Sequence, residues 1–347
     1  MKLGDLCRIR YGRDHKKLND GTIPVYGSGG VMRRVDTAIF DKPSVLIPRK
    51  GTIGNLFYVN EPFWTVDTLF WTDIDTNRII PKYLYYQLLT KDLAALNVGT
   101  AVPSLTVEIL NDIEIDVPAL DIQERITHLL ASFDNKIALN NRLNDYLAVL
   151  CESIAGKYCE VGTTCLSDIC YQVTDKTYCE NASLKTYVST ESLLKNKRGR
   201  QPAASLPATG KVTRYVAGDT LVSNIRPYFK KIWYAPFSGT CSGDVLVFRA
   251  KKLEDAPFLH ACLRQDCFFN HVMRGVKGTK MPRGDKRQMM SFQVSRKCEP
   301  GDLSLLSACL QQMATNDIET ARLIGLRDAL LPKLMSGEID VSKAINR

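Results

Sequence analysis

Residues 123–155 read QERITHLLASFDNKIALNNRLNDYLAVLCESIA. Ile126, Leu129, Leu130, Phe133, Ile137, Leu143, Leu147, Leu150 and Ile154 recur at spacings of three and four. That is the pattern of a helix with one buried stripe. Pro118 precedes it, Asp121 reads as the cap, Glu124 as its capping-box partner, and Gly156 as the stop. At about 1.5 Å per residue the helix spans about 50 Å. A compact domain rarely needs such a length, and a narrow apolar seam asks for a partner helix.

The partner stands near the other end of the chain. Residues 303–336, LSLLSACLQQMATNDIETARLIGLRDALLPKLMS, carry a similar stripe, with Asp302 as the expected cap, Gly337 as the stop, and Pro332 bending or fraying the last turn. The expected pairing sets Ile126, Leu129, Phe133, Leu143, Leu147 and Leu150 against Leu306, Leu310, Met313, Ile324 and Leu331. Asn140 falls on the seam, seven residues from both Phe133 and Leu147, where a polar side chain sets register.

The 347 residues suffice for two or three domains, and 45% hydrophobic with 24% charged residues is ordinary for a soluble globular chain. No stretch is apolar enough to span a bilayer, and the start, MKLGDLCRIRYG, has no signal-peptide core, so a cytoplasmic protein is expected. The eleven cysteines include no CxxC pair and the four histidines are scattered, so no metal site is expected. The one grouping considered, Cys159, Cys165 and Cys170, reads more simply as reduced thiols filling apolar space.

Charge is distributed unevenly. Residues 1–116 are net 0, 117–158 net −1, 159–300 net +11 and 301–347 net −1. A surplus confined to the block between the helices is the electrostatic footprint of a polyanion partner, most often nucleic acid. A solvated basic face would give the same count.

Between the helical stretches the chain repeats itself. The first block is expected to contain a strand or turn at 3–11, a basic loop at 12–21, a tight GSGG turn at 27–30, a basic-tipped hairpin at 43–59, an aromatic strand at 63–71, a helix at 81–97, a small-residue loop at 99–105 and a strand at 113–117. Leu166-Ser-Asp-Ile-Cys170 echoes Leu3-Gly-Asp-Leu-Cys7, Asp219–Arg226 echoes the strand ending at Arg49, and Ser242–Phe248 echoes Thr65–Phe70. Pro257–Leu263 echoes the helix after Pro81, Gly278–Pro282 echoes Gly99–Pro103, Phe292–Val294 echoes Ile113–Ile115, and Asn316–Ile318 echoes Asn135–Ile137. The same order at seven places marks a duplicated domain, each copy followed by a long helix. The expected domains are therefore 1–117, a first helix at 118–156, a second copy at 157–300, and a second helix with its tail at 301–347. The fold class is α+β: two repeated mixed α/β domains joined by two long antiparallel, coiled-coil-like helices.

Five phrases carry a family resemblance: LGDLC, PVYGSGG, GTIGNLFYV, VPALDIQERITHLLASFDNKIALNNRLNDYLAVL, and the tail GLRDALLPKLMSGEIDVS. With them the chain resembles the specificity subunit of type I restriction-modification enzymes over essentially its whole length. The resemblance implies no catalysis by this chain. It implies two target-recognition domains that each read half of a split DNA site, spaced by the helices. It also implies partner methyltransferase subunits using S-adenosylmethionine and a restriction subunit using ATP, with no cofactor on this chain.

Phosphate contacts come from Lys and Arg in loops, and base readout needs polar or basic side chains at protruding tips. The candidates in the first domain are Lys16, Lys17, Arg33, Arg34, Arg49 and Lys50; in the second, Lys197, Arg198, Arg200, Arg226, Lys230, Lys231, Lys277, Lys280 and Arg283. The charge asymmetry makes the second domain the stronger nonspecific binder, with Lys230 and Lys231 prominent. An enzyme is the first rival, but neither the N/D-P-P-Y/F motif of an adenine methyltransferase nor the GxxxxGK[ST] phosphate loop occurs. Asp67 and Asp244 recur in the two halves without the partners of a nuclease site and read as turn or strand residues. The second rival is a helical scaffold that binds protein and no DNA, against which the +11 block argues.

Overall fold

The computed structural model describes residues 1–96, 104–160, 162–276, 278 and 280–341. The chain forms two compact units, Met1–Ile137 with Ala321–Arg347, and Ala138–Thr320. Among the described residues no helix is long and apolar enough to cross a membrane.

The first unit opens with a 3-10 turn, Leu3–Asp5, and seven strands: β1 (Cys7–Tyr11), β2 (Asp20–Gly27), β3 (Gly30–Val35), β4 (Ser44–Pro48), β5 (Phe57–Val59), β6 (Trp64–Thr65) and β7 (Leu69–Ile74). Helices α1 (Pro81–Leu89) and α2 (Val107–Asn111) follow, then the first turns of α3 (Leu120–Glu160). One sheet has the order β1-β7-β4-β5, the other β3-β2-β6. Strand β4, SVLIP, is buried on both faces. One face meets a core of Leu3, Leu6, Phe70, Tyr83 and Leu84, which Ile126 and Leu130 of α3 complete.

The second unit contains the rest of α3, then β8 (Thr164–Cys165), α4 (Leu166–Ile169), β9 (Cys170–Gln172), β10 (Lys176–Tyr178), β11 (Tyr187–Val188), β12 (Lys211–Tyr215), β13 (Thr220–Ser223), β14 (Ile232–Tyr234), β15 (Gly239–Cys241) and β16 (Val245–Ala250). Helices α5 (Ala256–Leu263), α6 (Asp266–Arg274) and α7 (Lys286–Met290), strand β17 (Gln293–Val294) and α8 (Pro300–Met335) complete the chain, the last turns of α8 belonging to the first unit. Its main sheet, β9-β16-β13-β14, has the topology of β1-β7-β4-β5. The duplication extends to single hydrogen bonds. Leu3 N–H donates to Ile113 O and Leu166 N–H to Phe292 O, each at 2.8 Å. Thr106 caps α2 and Asp285 caps α7, and the buried Leu110 and Met289 occupy equivalent helical positions. The remaining sheets differ: β3-β2-β6 in the first unit, and β10-β12-β15-β11 with the two-stranded β17-β8 in the second.

Several boundaries depart from the sequence reading, each for a local reason. The expected strand 63–71 breaks at Val66–Thr68, because Trp64 and Thr65 pair with β2 while Leu69–Ile74 pairs with β1 and β4. The expected helix 81–97 ends at Leu89, where the Thr90 hydroxyl folds back onto the Gln87 carbonyl at 2.8 Å. Residues 113–117 make one bridge, Glu114 to Lys2, instead of a strand. Helix α3 runs through Gly156 to Glu160, since the flanking Ala155 and Tyr158 are buried in the second core; that burial outweighs the cost of about 1 kcal/mol for a helical glycine. Asp121 and Asp302 lie inside the first turns of α3 and α8, where their charge favours the helix N-terminus without capping it. Gly337, with φ +76°, does end the region after α8.

The helices pair antiparallel within each unit. In the first, Asp134 accepts from Arg327 at 3.0 Å and from the Tyr86 hydroxyl at 2.5 Å, while Leu331, Leu334 and Met335 enter the core. In the second, Cys151 and Ala155 of α3 share the core with Leu306 and Cys309 of α8. Leu129, Leu143, Leu150 and Ile324, expected in the seam, are 37–40% exposed. Small residues at Cys151, Ala155 and Cys309 take the contact instead, and Leu147 packs at its margin. Ile126, Leu306, Leu310 and Leu331 are buried, with Phe133 and Met313 half-buried.

Asn140 is 2% exposed; its Nδ2 donates to Glu319 Oε2 at 2.9 Å and to Thr320 Oγ1 at 3.3 Å. Replacement by alanine removes buried hydrogen bonds while adding helix propensity, so Asn140→Ala should lower unfolding free energy by about 1 kcal/mol. Leu139→Ala, one residue away and exposed, should change it by less than about 0.5 kcal/mol. Urea midpoints followed by circular dichroism check both; equal effects would contradict the assignment.

Candidate nucleic-acid interface

In the first unit, the loop after β1 is anchored at Gly12. Its N–H donates to Leu69 O at 3.0 Å, and a Cβ there would lie 2.0 Å from the Val66 carbonyl oxygen, so only glycine fits. The anchor sends Asp14–Lys17 outward beside the Ser28–Gly29 tip of the β2–β3 hairpin and the Val66–Thr68 turn. The three segments surround an open cleft of about 740 Å³ lined in part by Asp14, His15, Lys16, Ser28 and Asp67. Lys16 and Lys17 are exposed.

Arg33 and Arg34 are tied to their own hairpin. Arg33 donates to Asp20 Oδ1 at 2.7 Å and to Leu18 O, and Arg34 to Thr22 O at 2.6 Å. Arg49 lies over the Tyr11 ring at 5.3 Å. Lys50 is exposed beyond the end of β4 and bridges Ser104 through its backbone.

The second unit spends much of its basic surplus on its own structure. Lys197 is 11% exposed, with its ammonium 3.1 Å from Glu152 and 2.8 Å from Asp266. Arg264 joins Glu152 at 3.3 Å. Arg200 lies over Trp233 and Phe237 and donates to Lys185 O at 2.9 Å; burial lowers its pKa below the usual guanidinium value. Lys230 pairs with Asp266 at 3.0 Å and Lys231 donates to Thr190 O. Arg283 makes a two-point contact with Asp244 at 3.0 and 3.3 Å. These partners are distant in sequence, and a charge count cannot see them.

Arg198, Arg226, Lys280 and the Asp244-paired Arg283 are the exposed candidates in this unit. Lys277 falls outside the described residues, as does most of 99–105. Sequence reading missed Tyr228, 46% exposed beside Arg226; the signal was an aromatic pair following Arg-Pro in a polar loop. Asp67 and Asp244 occupy turns, and Asp244 has a role the sequence did not reveal, as the partner of Arg283. None of the eleven cysteines forms a disulfide among the described residues. Among the described residues no group of three or more His, Cys, Asp or Glu side chains is placed to hold a metal ion.

His260 is buried against Thr220, with Nδ1 3.2 Å from the hydroxyl, and its ring lies 5.2 Å from that of Tyr234. Burial, then the Arg264 charge one turn away, holds its pKa well below the ordinary imidazole value of 6.5.

A model of the family described as the type I restriction modification DNA specificity domain matches residues 1–148. A Mycoplasma pneumoniae chain assigned as the N-terminus of a type I specificity subunit is 30% identical over 141 residues, 38% of this chain and 75% of that one. Another M. pneumoniae chain assigned as a type I specificity subunit is 29% identical over 144 residues, 39% of this chain and 47% of the relative. The chain thus spans about half the length of that second relative. The crystal structure of the type I restriction-modification system S subunit from M. genitalium shares the fold, with a TM-score of 0.63 over 96% of this chain and 95% of that one at 15% identity.

Arg200→Ala removes a buried, stacked guanidinium and should lower the melting temperature by several degrees, whereas Arg198→Ala should leave it within about one degree; differential scanning calorimetry distinguishes them. His260 stays neutral in the fold while its unfolded counterpart takes up a proton below about pH 6.5, so its contribution is present above that pH and lost as pH falls. As pH falls below 6.5, wild-type stability should fall more steeply than that of His260→Gln. Urea unfolding across that range measures the difference, and parallel curves would refute it.

Proposed function

Because the chain belongs to the type I restriction-modification specificity-subunit family, we propose that it is the DNA-reading component of such a system, each unit reading one half of a split duplex site. The observation that carries this reading is the duplication: the same four-strand sheet and the same capped helix occur in both units. A chain built from two copies of one reader is suited to a target in two parts. Basic side chains exposed in both units supply phosphate contacts: Lys16, Lys17 and Lys50 in the first, Arg198, Arg226 and Lys280 in the second.

The same reading gives the chain no chemistry of its own. A methyltransferase subunit carrying S-adenosylmethionine and a restriction subunit using ATP would supply it. A stripe on α3 favours such docking: Leu139, Leu143, Tyr146 and Leu150, at spacings of four, three and four, are 59%, 37%, 58% and 40% exposed. An apolar helical face of this kind fits a protein partner. A scaffold binding protein alone would need that stripe too, but not the basic loops.

Fluorescence anisotropy with a labelled random-sequence duplex, at about 50 and 200 mM salt, separates these readings. DNA reading predicts binding that weakens steeply with salt; the scaffold reading predicts no binding at either concentration. Reversing Arg198 and Lys280 together to Glu should reduce the log–log salt slope by about 2. Reversing Lys16 and Lys17 should reduce it less, given the balanced charge of the first block.

A further inference from the structure

Four non-glycine residues among the described residues have positive φ: Asn196, Lys197, Arg226 and Lys230. They lie in two segments that hold each other. Asn196 N–H donates to Phe229 O and Lys197 N–H to Lys230 O, both at 2.9 Å. Asp266 ties the two segments again, accepting from Lys197 and Lys230, and the Lys195 ammonium lies 4.2 Å above the Phe229 ring. A third segment closes the other side. Arg226 N–H donates to Pro282 O at 2.8 Å, Ile225 bridges Arg283, and Asp244 holds the Arg283 guanidinium.

The backbone of 226–230 is therefore fixed from both flanks, with Arg226 and Lys230 at its two ends in a conformation that L-residues avoid. Such strain persists where surrounding contacts over-determine it, and it concentrates at functional sites. What this framework displays is specific: the exposed Arg226, and Tyr228 stacked edge-on against Phe229 at 4.6 Å. Every other basic candidate on these two segments except Arg198 is engaged with the protein.

The first unit has the same clasp in the corresponding place. Leu105 N–H donates to Arg49 O at 3.0 Å as Gly284 N–H does to Asn224 O at 3.2 Å, and Lys50 bridges Ser104 as Ile225 bridges Arg283. The loop leaving the central strand is thus a built feature of the repeated domain. Its tip in the second unit carries a side chain suited to base edges: a guanidinium can donate two parallel hydrogen bonds to guanine O6 and N7 in the major groove. Tyr228 offers a flat apolar face for a thymine methyl or an adjacent base.

We propose that Arg226 and Tyr228 are the base-reading side chains of the second unit, taking a guanine-containing half-site in duplex DNA; this rests on the DNA-reading function above. Rigid anchorage of the tip is what base readout requires, since a guanidinium free to wander meets any acceptor.

The test is selection by the full-length chain from a pool of random-sequence duplexes, followed by sequencing. Wild type should enrich a motif in two separated halves. Arg226→Gly suits a left-handed backbone, so it should retain the wild-type melting temperature and one intact half, while preference for a guanine in the other half falls about tenfold or more. Tyr228→Ala should degrade that same half. If both variants return the wild-type motif, the assignment is overturned and the DNA-reading function stands. If wild type enriches no split motif, that function fails and the assignment with it.

Discussion

An asparagine amide buried between two long helices can be satisfied in few registers, and this chain places one there. Asn140 on α3 reaches Glu319 and Thr320 on α8. One turn further along, Asn144 accepts from Asn316 at 2.8 Å and donates to Asp317 at 2.8 Å, and Gln312 donates to Asn316. Sliding either helix by one turn, about 5.4 Å, would part each of these amides from its present partners. The net energy of such a ladder is modest, but the penalty for breaking it is not. Register matters because neither globular core is complete alone: the first needs Ile126 and Leu130 from α3 with Leu331 and Leu334 from α8, the second Cys151 and Ala155 with Leu306 and Cys309.

That dependence explains which parts of the fold were legible. Period 3.6 shows a helix and its wet side, so both long helices were readable, as was Asn140 as the polar residue of the seam. Periodicity does not say which apolar residue meets the partner when the stripe is wider than the contact. Leu143 and Leu150 look like better seam residues than Cys151 and Ala155, yet close approach of two backbones favours the small ones. One helix end was misplaced for a related reason: Gly156 carries a local stop signal, and burial of Ala155 and Tyr158 overrides it.

The basic residues were less legible, and the reason is geometric. A run such as KNKRGR announces positive charge, but a charge becomes available to a ligand only if the fold brings no acceptor to it. Lys197 meets Glu152, 45 residues back, and Asp266, 69 residues on. Arg200 meets Trp233 and Phe237. Within one hexapeptide Lys197 and Arg200 turn inward while Arg198 stays exposed. The net +11 of this block is real, but a good part of it holds loops in place, so affinity for a polyanion rests on fewer side chains than the count suggests.

The strained residues connect these observations. Each left-handed L-residue costs about 1–2 kcal/mol, and glycine would avoid the cost at all four positions. Two of the four, Lys197 and Lys230, use their side chains to reach Asp266, an ion pair that offsets part of the strain by locking the two segments together. Asn196 is the residue type that tolerates this conformation best after glycine. Arg226 has neither excuse: it is exposed, and among the described residues no carboxylate is paired with it. A strained arginine held by its own backbone, in a framework where Lys197, Arg200, Lys230 and Lys231 are already engaged, is what the proposed base-reading role would need at that point.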